Sequence, residues 1–82
     1  MATIMTAEIL FNKLGYSRKL DDDYVLYIKE INDCMIEIAF DFNTKQIEFY
    51  CHSVDDMEYR YDLTLDLKEV EAINLQIKEL GW

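Results

Sequence analysis

The sequence predicts an α+β fold in which two helices flank an antiparallel β-meander of three to four strands, in the order α-β-β-β-β-α. Apolar residues recur at helical spacing at both ends of the chain, and between them apolar and polar residues alternate with a period of two. No proline and no repeat divides the 82 residues, 51% of which are hydrophobic. Because a chain of this length supports one hydrophobic core, residues 1–82 are expected to form a single domain with both helices on one face of the sheet.

The first helix is expected to run from Thr6 to Leu14. Thr6 is a residue type that caps helix N-termini. Gly15 follows in the position of a left-handed helix stop, and Tyr16 is placed to fold back as the apolar contact of that cap. The apolar stripe of this helix consists of Ala7, Leu10, Phe11 and Leu14.

The second helix is expected to begin after Asp66. Asp66 and Glu69 have the spacing of a capping box, in which each side chain bonds the backbone amide of the other residue. Gly81 and Trp82 repeat the ending of the first helix. The stripe predicted to be buried consists of Leu67, Val70, Ile73, Ile77 and Leu80.

Alternation predicts strands at 34–42, 47–52 and 59–63, and a first strand is expected near 24–30, where the alternation is ambiguous. The connection after the first strand decides which of its faces is buried. A three-residue loop sets apolar residues of the buried face against each other: Ile28 against Ile36, Leu26 against Ile38, and Tyr24 against Phe40. A two-residue turn would instead set Lys29 against Ile36 and bury an amine, at a cost of several kcal/mol. We therefore expect the three-residue loop, with Tyr27 on the face of the sheet that no helix covers (the open face).

The turn between the second and third of these strands is expected to contain an even number of residues, so that Phe42 and Ile47 share a face. This register sets Cys51 opposite Ile38, about 13 Å along the strand from Cys34. Such a separation is too long for a disulfide, so both cysteines are expected to be reduced.

The charge of the chain limits its partners. Seventeen acidic residues face eight basic ones, which gives a net charge of −9. That charge opposes direct binding to nucleic acid or to an anionic membrane. No secretory leader and no apolar run of ~18 residues is evident, so a cytoplasmic location is expected.

No motif in the sequence indicates catalysis, a metal or a cofactor. Cys51 and His52 are neighbours on a predicted strand and so point to opposite faces, which excludes a thiolate-imidazole pair unless the strand bends irregularly there. The aspartate runs lack the spacing of a calcium loop, and a single histidine with two inward cysteines does not make a zinc site. The prediction is therefore a protein that is not an enzyme and that holds no cofactor.

Polar and aromatic residues outside the predicted core are the candidates for partner binding. Leu75 is one of them, because it lies about 200° around the helix from Ile73 and so outside the predicted stripe. Tyrosines among carboxylates on the open face are typical of protein interfaces. The candidate set is Asp21, Asp22, Asp23, Tyr27, Glu37, Asp41, Glu48, Tyr50, Asp55, Asp56, Glu58, Asp62 and Leu75.

Four short motifs at the two ends carry a resemblance. They are Met-Thr-Ala-Glu at 5–8, Leu-Gly-Tyr at 14–16, Ala-Ile-Asn at 72–74 and Glu-Leu-Gly-Trp at 79–82. In these motifs the chain resembles a group of small phage and prophage proteins of Gram-positive bacteria. The resemblance implies a start at Met5, with 1–4 as a dispensable extension, and a phage setting, but it brings no established activity. The chain departs from the group at Leu75, where lysine is more usual.

Three hypotheses follow. The first is a noncatalytic acidic module that inhibits or adapts a basic host or defence protein, such as a CRISPR or restriction nuclease, with carboxylates in the positions of nucleic-acid phosphates. The second is a self-associating phage protein, a homodimer built through Leu75, Trp82 or the sheet edge. The third is a small metal-dependent enzyme that uses the aspartate runs.

Overall fold

The computed structural model describes residues 5–53 and 65–82, and it confirms the predicted α+β arrangement. The four strands are antiparallel and follow one another in the sheet in chain order, β1-β2-β3-β4. The elements are α1 (Ala7–Lys13), β1 (Ser17–Leu20), β2 (Tyr24–Ile31), β3 (Cys34–Asp41), β4 (Gln46–Ser53) and α2 (Leu67–Leu80).

Strand β1 was not predicted from the sequence. Its four residues, Ser-Arg-Lys-Leu, are all exposed and show no alternation of apolar and polar types. It pairs with β2 from Ser17 opposite Ile28 to Leu20 opposite Val25. The strand predicted at 59–63 lies outside the described residues.

The predicted register of β2 was wrong. Asn32 and Asp33 form a two-residue turn with φ of 49° and 64°, as in a type I′ hairpin, and Lys29 is opposite Ile36. Asn and Asp tolerate this left-handed backbone better than other non-glycine residues. Since a one-residue slip reverses every side chain of a strand, Tyr27 belongs to the helix-covered face and not to the open face.

Lys29 occupies the helix-covered face without burying its charge. Its Nζ lies 5.1 Å from the centroid of the Tyr16 ring, within cation-π distance. Its aliphatic stem passes Gly15, where an added Cβ would lie 3.5 Å from the lysine Cε. The side chain is only half-buried, so the ammonium avoids the desolvation that had argued against this register.

The turn between β3 and β4 has the predicted even number of residues, four, and Phe40 faces Ile47. The register itself differs by two residues from the expected one, because Cys51 is opposite Ile36 and not Ile38. Cys34 and Cys51 are therefore diagonal neighbours rather than about 13 Å apart. No disulfide joins Cys34 to Cys51, as predicted.

The ends of helix α1 are as predicted. Thr6 Oγ1 accepts a hydrogen bond from the Ile9 amide at 3.2 Å. Gly15 has a φ of 96°, and the amide of Tyr16 donates to the Phe11 carbonyl at 2.9 Å, which is the bond of a Schellman cap. The Tyr16 and Phe11 rings meet edge to face, so the cap also contributes to the core.

The ends of helix α2 are also as predicted, but its buried face is so only in part: Ile73 is buried and Ile77 and Leu80 pack against the core, as expected. Asp66 and Glu69 form the capping box, and Gly81 closes the helix with a φ of 75°. Leu67 is 73% exposed and Val70 40% exposed, although both were expected in the buried stripe. The residues of α2 that are buried are Glu69, Ala72, Ile73 and Gln76.

The core lies between the two helices and one face of the sheet. At its centre Phe11 of α1 stacks on Tyr27 of β2, with ring centroids 3.9 Å apart. Phe40 packs edge-on against both rings and also contacts Trp82. Each such aromatic pair stabilises the fold by about 0.5–1.5 kcal/mol beyond the area it buries. The fully assembled core is Ala7, Phe11, Tyr16, Val25, Tyr27, Ile38, Phe40, Ala72 and Ile73.

Candidate partner-binding face

The open face of the sheet is centred on Ala39. Val25, Tyr27, Ile38 and Phe40 face the helices, so the alternate residues of the same strands point the other way. Ala39 is flanked by Leu26 on β2 and by Glu48 on β4. Its methyl group is the smallest side chain of the group, and the longer neighbours rise around it.

Two further sets of three residues, each set lying side by side across β2, β3 and β4, complete this surface. On one side of Ala39, Asp41 lies between Tyr24 and Gln46, and on the other Glu37 lies between Ile28 and Tyr50. The result is a depression of about 230 Å³, which we call the Ala39 depression. It is lined by Tyr24, Leu26, Glu37, Ala39, Asp41, Glu48 and Tyr50.

In each carboxylate of the depression, one oxygen contacts a neighbouring polar group, and this contact orients the carboxylate. Glu48 Oε2 accepts a hydrogen bond from the Tyr50 hydroxyl at 2.7 Å. Asp41 Oδ1 accepts from the Asn43 and Thr44 amides of the following turn, at 2.9 and 3.2 Å. Glu37 Oε2 lies 3.2 Å from His52 Nε2. These contacts each engage one oxygen of the carboxylate.

The structure brings together four of the residues singled out from the sequence: Glu37, Asp41, Glu48 and Tyr50 all line the depression. Their alternation along β3 and β4 placed them on one face, and the observed pairing brings them side by side. Whether they bind a partner stays a prediction.

Two of the candidate partner-binding residues do not lie on the open face. Tyr27 is fully buried, and its hydroxyl donates to Gln76 Oε1 at 2.5 Å, so its predicted place on the open face was wrong. Burial raises the pKa of the Tyr27 phenol. Leu75 is partly buried and packs against the core, so its predicted place outside the buried surface was also wrong.

The first aspartate run connects β1 to β2. Asp21, Asp22 and Asp23 are exposed. The Asp23 carbonyl accepts from the Phe42 amide at 2.9 Å, and its carboxylate accepts from the Asn43 side chain at 3.2 Å. This run therefore holds the β3-β4 turn beside it at the Tyr24 end of the open face. Candidates outside the described residues are Asp55, Asp56, Glu58 and Asp62.

Sequence reasoning missed Tyr24 and Leu26 as members of this surface. Both were assigned to the buried face, as a consequence of the three-residue loop. The signal that would have found them is the Asn32-Asp33 pair, since two consecutive residues that tolerate positive φ are typical of a two-residue hairpin turn.

A second polar cluster lies under α2. The Tyr16 hydroxyl donates to Glu69 Oε2, and the Tyr27 hydroxyl donates to Gln76. Burial, followed by the bond to Glu69, raises the pKa of the Tyr16 phenol. These paired groups explain why α2 buries a carboxylate and an amide, and they hold the helix to the sheet rather than facing a ligand.

Other kinds of site find little support. In residues 5–53 and 65–82, no group of three His, Cys, Asp or Glu side chains is arranged to hold a metal ion. None of the helices in these ranges is long and apolar enough to cross a membrane. Comparison with known protein families, with curated proteins and with solved structures gives no match.

Proposed function

We propose that this chain is a noncatalytic binding protein that attaches to a basic surface of another protein through its open face. The observation that carries the proposal is the Ala39 depression, in which three carboxylates and two tyrosines surround a small apolar floor. Tyrosine beside polar groups is typical of protein interfaces. Carboxylates that are already oriented lose less conformational entropy when a cation binds.

The charge of the chain favours a basic partner. A net charge of −9 attracts a positively charged surface over a distance, speeds association and repels nucleic acid. Basic surfaces of this kind occur where proteins bind nucleic-acid phosphates. With the resemblance to phage proteins, the sharpest form of the proposal is an inhibitor of a host or defence nuclease, of the CRISPR or restriction type, that occupies its nucleic-acid groove.

The self-associating alternative has lost two of its three contacts. It named Leu75, Trp82 or the sheet edge, and both Leu75 and Trp82 pack against the core, with the Trp82 ring 6.4 Å from Phe40 between centroids. Two copies of the open face would also bring carboxylates against carboxylates. A second copy of this chain is therefore a poorer fit to this surface than a basic protein.

The test compares two doubly neutralised variants that have the same net charge. Glu37→Gln with Glu48→Gln changes the depression, whereas Asp33→Asn with Glu71→Gln removes two exposed charges elsewhere. Immobilised wild-type protein and the second variant should retain the same basic proteins from a bacterial lysate, and the first variant should retain less. Retention should fall between about 0.1 and 1 M salt, as the Debye length shortens from ~10 to ~3 Å.

Two results would contradict the proposal. One is equal retention by both variants, which would mean that only bulk charge matters. The other is retention that does not respond to salt.

A further inference from the structure

We propose that the Ala39 depression receives one arginine side chain of the partner, with the guanidinium among the three carboxylates and against a tyrosine ring. This inference rests on the proposed function, since it names the group by which the basic partner is recognised.

The size of the depression fits a single side chain. Its volume of about 230 Å³ is below the roughly 300–1,000 Å³ of pockets that hold cofactors and drug-sized ligands. Its floor, Ala39 and Leu26, is apolar and can contact the methylene stem of a long side chain. A cationic head on such a stem would then reach the carboxylates at the rim.

The arrangement of acceptors favours arginine over lysine. The carboxylates of the depression belong to Glu37 and Asp41 on β3 and to Glu48 on β4, so their oxygens approach from different sides. A guanidinium has five N–H donors in a planar fork and can bond several carboxylates at once, whereas an ammonium is a compact point charge with three donors.

The aromatic walls favour the same group. Tyr24 and Tyr50 stand at opposite corners of the depression, two strands apart. Guanidinium planes stack on aromatic rings, and such contacts stabilise a complex by about 0.5–1 kcal/mol at exposed sites. The Glu37 side chain is only 25% exposed, so its attraction for a cation is screened less by salt than that of a fully exposed carboxylate.

The first experiment titrates the full chain with small probes and follows backbone amide NMR shifts. The probes are N-acetyl-arginine amide, the lysine analogue and the citrulline analogue, which has the shape of arginine without its charge. Arginine amide should shift Ala39 and its neighbours saturably and bind about two- to fivefold more tightly than lysine amide. Citrulline amide should not bind. Equal binding of all three, or shifts that map away from Ala39, would overturn the inference.

The second experiment fills the depression without altering the charge. Ala39→Leu keeps the net charge of −9 and adds bulk on the face away from the core. Its amide spectrum reports whether the fold is kept, and binding of arginine amide should be lost. Tyr24→Leu is the second variant, and it should weaken arginine binding about two- to fivefold and weaken lysine binding by less.

The two proposals fail separately. Suppose that Ala39→Leu binds arginine amide and retains basic lysate proteins as the wild type does. The proposal that the Ala39 depression receives an arginine is then wrong, whereas the proposal of a basic partner is not contradicted. If the Glu37 and Glu48 variant retains basic proteins as its charge-matched control does, the proposed function is wrong.

Discussion

The Tyr27 hydroxyl donates a hydrogen bond to the Gln76 side chain at 2.5 Å, joining β2 to α2 inside the core. Both residues are buried. When a buried acceptor loses its donor, the free energy of unfolding falls by about 1–3 kcal/mol, because water does not reach the acceptor to replace the hydrogen bond. Tyr27→Phe should therefore lower the free energy of unfolding by about that amount, measured by urea denaturation with an unchanged m-value.

The control for this prediction is Gln76→Leu in the Tyr27→Phe background. Replacing both members of a buried polar pair by apolar groups is nearly neutral, so the double variant should recover part of the lost stability. A double variant less stable than Tyr27→Phe alone would mean that Gln76 acts through other contacts.

The Tyr16 hydroxyl makes the equivalent bond to Glu69, which also belongs to the capping box of α2. Burial raises the pKa of the Tyr16 phenol above 10.0. Above pH 10 the unfolded chain loses this proton before the folded chain does, so the stability linked to it should fall as pH rises from 10 toward the higher folded-state pKa. Urea midpoints measured below and above pH 10 should show this loss in the wild type.

The matched variant is Tyr16→Phe. It should be less stable than the wild type at neutral pH, because Glu69 loses its buried donor. It should also show a shallower decline in stability above pH 10, since one titrating phenol is gone. If stability declined equally in both proteins, the loss of stability above pH 10 would be due to groups other than Tyr16.

The Asn32-Asp33 turn determines the register of β2 and thereby which side chains reach the Ala39 depression. Both residues have positive φ, a conformation that glycine adopts at no steric cost. Asp33→Gly should raise the free energy of unfolding by about 0.5–1 kcal/mol, whereas Asn32→Val should lower it by about 1–3 kcal/mol. Thermal or urea unfolding measures both changes, and a stabilising Asn32→Val would contradict the turn geometry.

What the sequence could predict was local. Helix caps depend on a few adjacent residues, so Thr6, Gly15 and the Asp66-Glu69 box were found in advance. The alternation of β3 and β4 likewise placed the carboxylates of the depression correctly. Such features require no knowledge of what packs against them.

What the sequence could not predict depends on contacts between distant elements. The register of β2 was rejected because Lys29 faced the core, but the Tyr16 ring and Gly15 accommodate that lysine. The buried side of α2 was expected to include Leu67 and Val70 as well as Ile73, whereas two tyrosine hydroxyls draw Glu69 and Gln76 inward. In both cases a polar group on the buried face was compensated by a partner far away in the chain.

Lys19 of β1 lies on the open face, opposite Leu26 of β2, and its positive charge opposes the binding of a cation to the neighbouring depression. Lys19→Glu should therefore tighten binding of N-acetyl-arginine amide by about twofold, because residue 19 and the bound guanidinium would be one strand apart in water. The gain in affinity should vanish at high salt. Lys68→Glu makes the same change in net charge at an exposed position on α2. If Lys68→Glu tightens binding as much as Lys19→Glu does, the attraction comes from the whole chain and not from the open face.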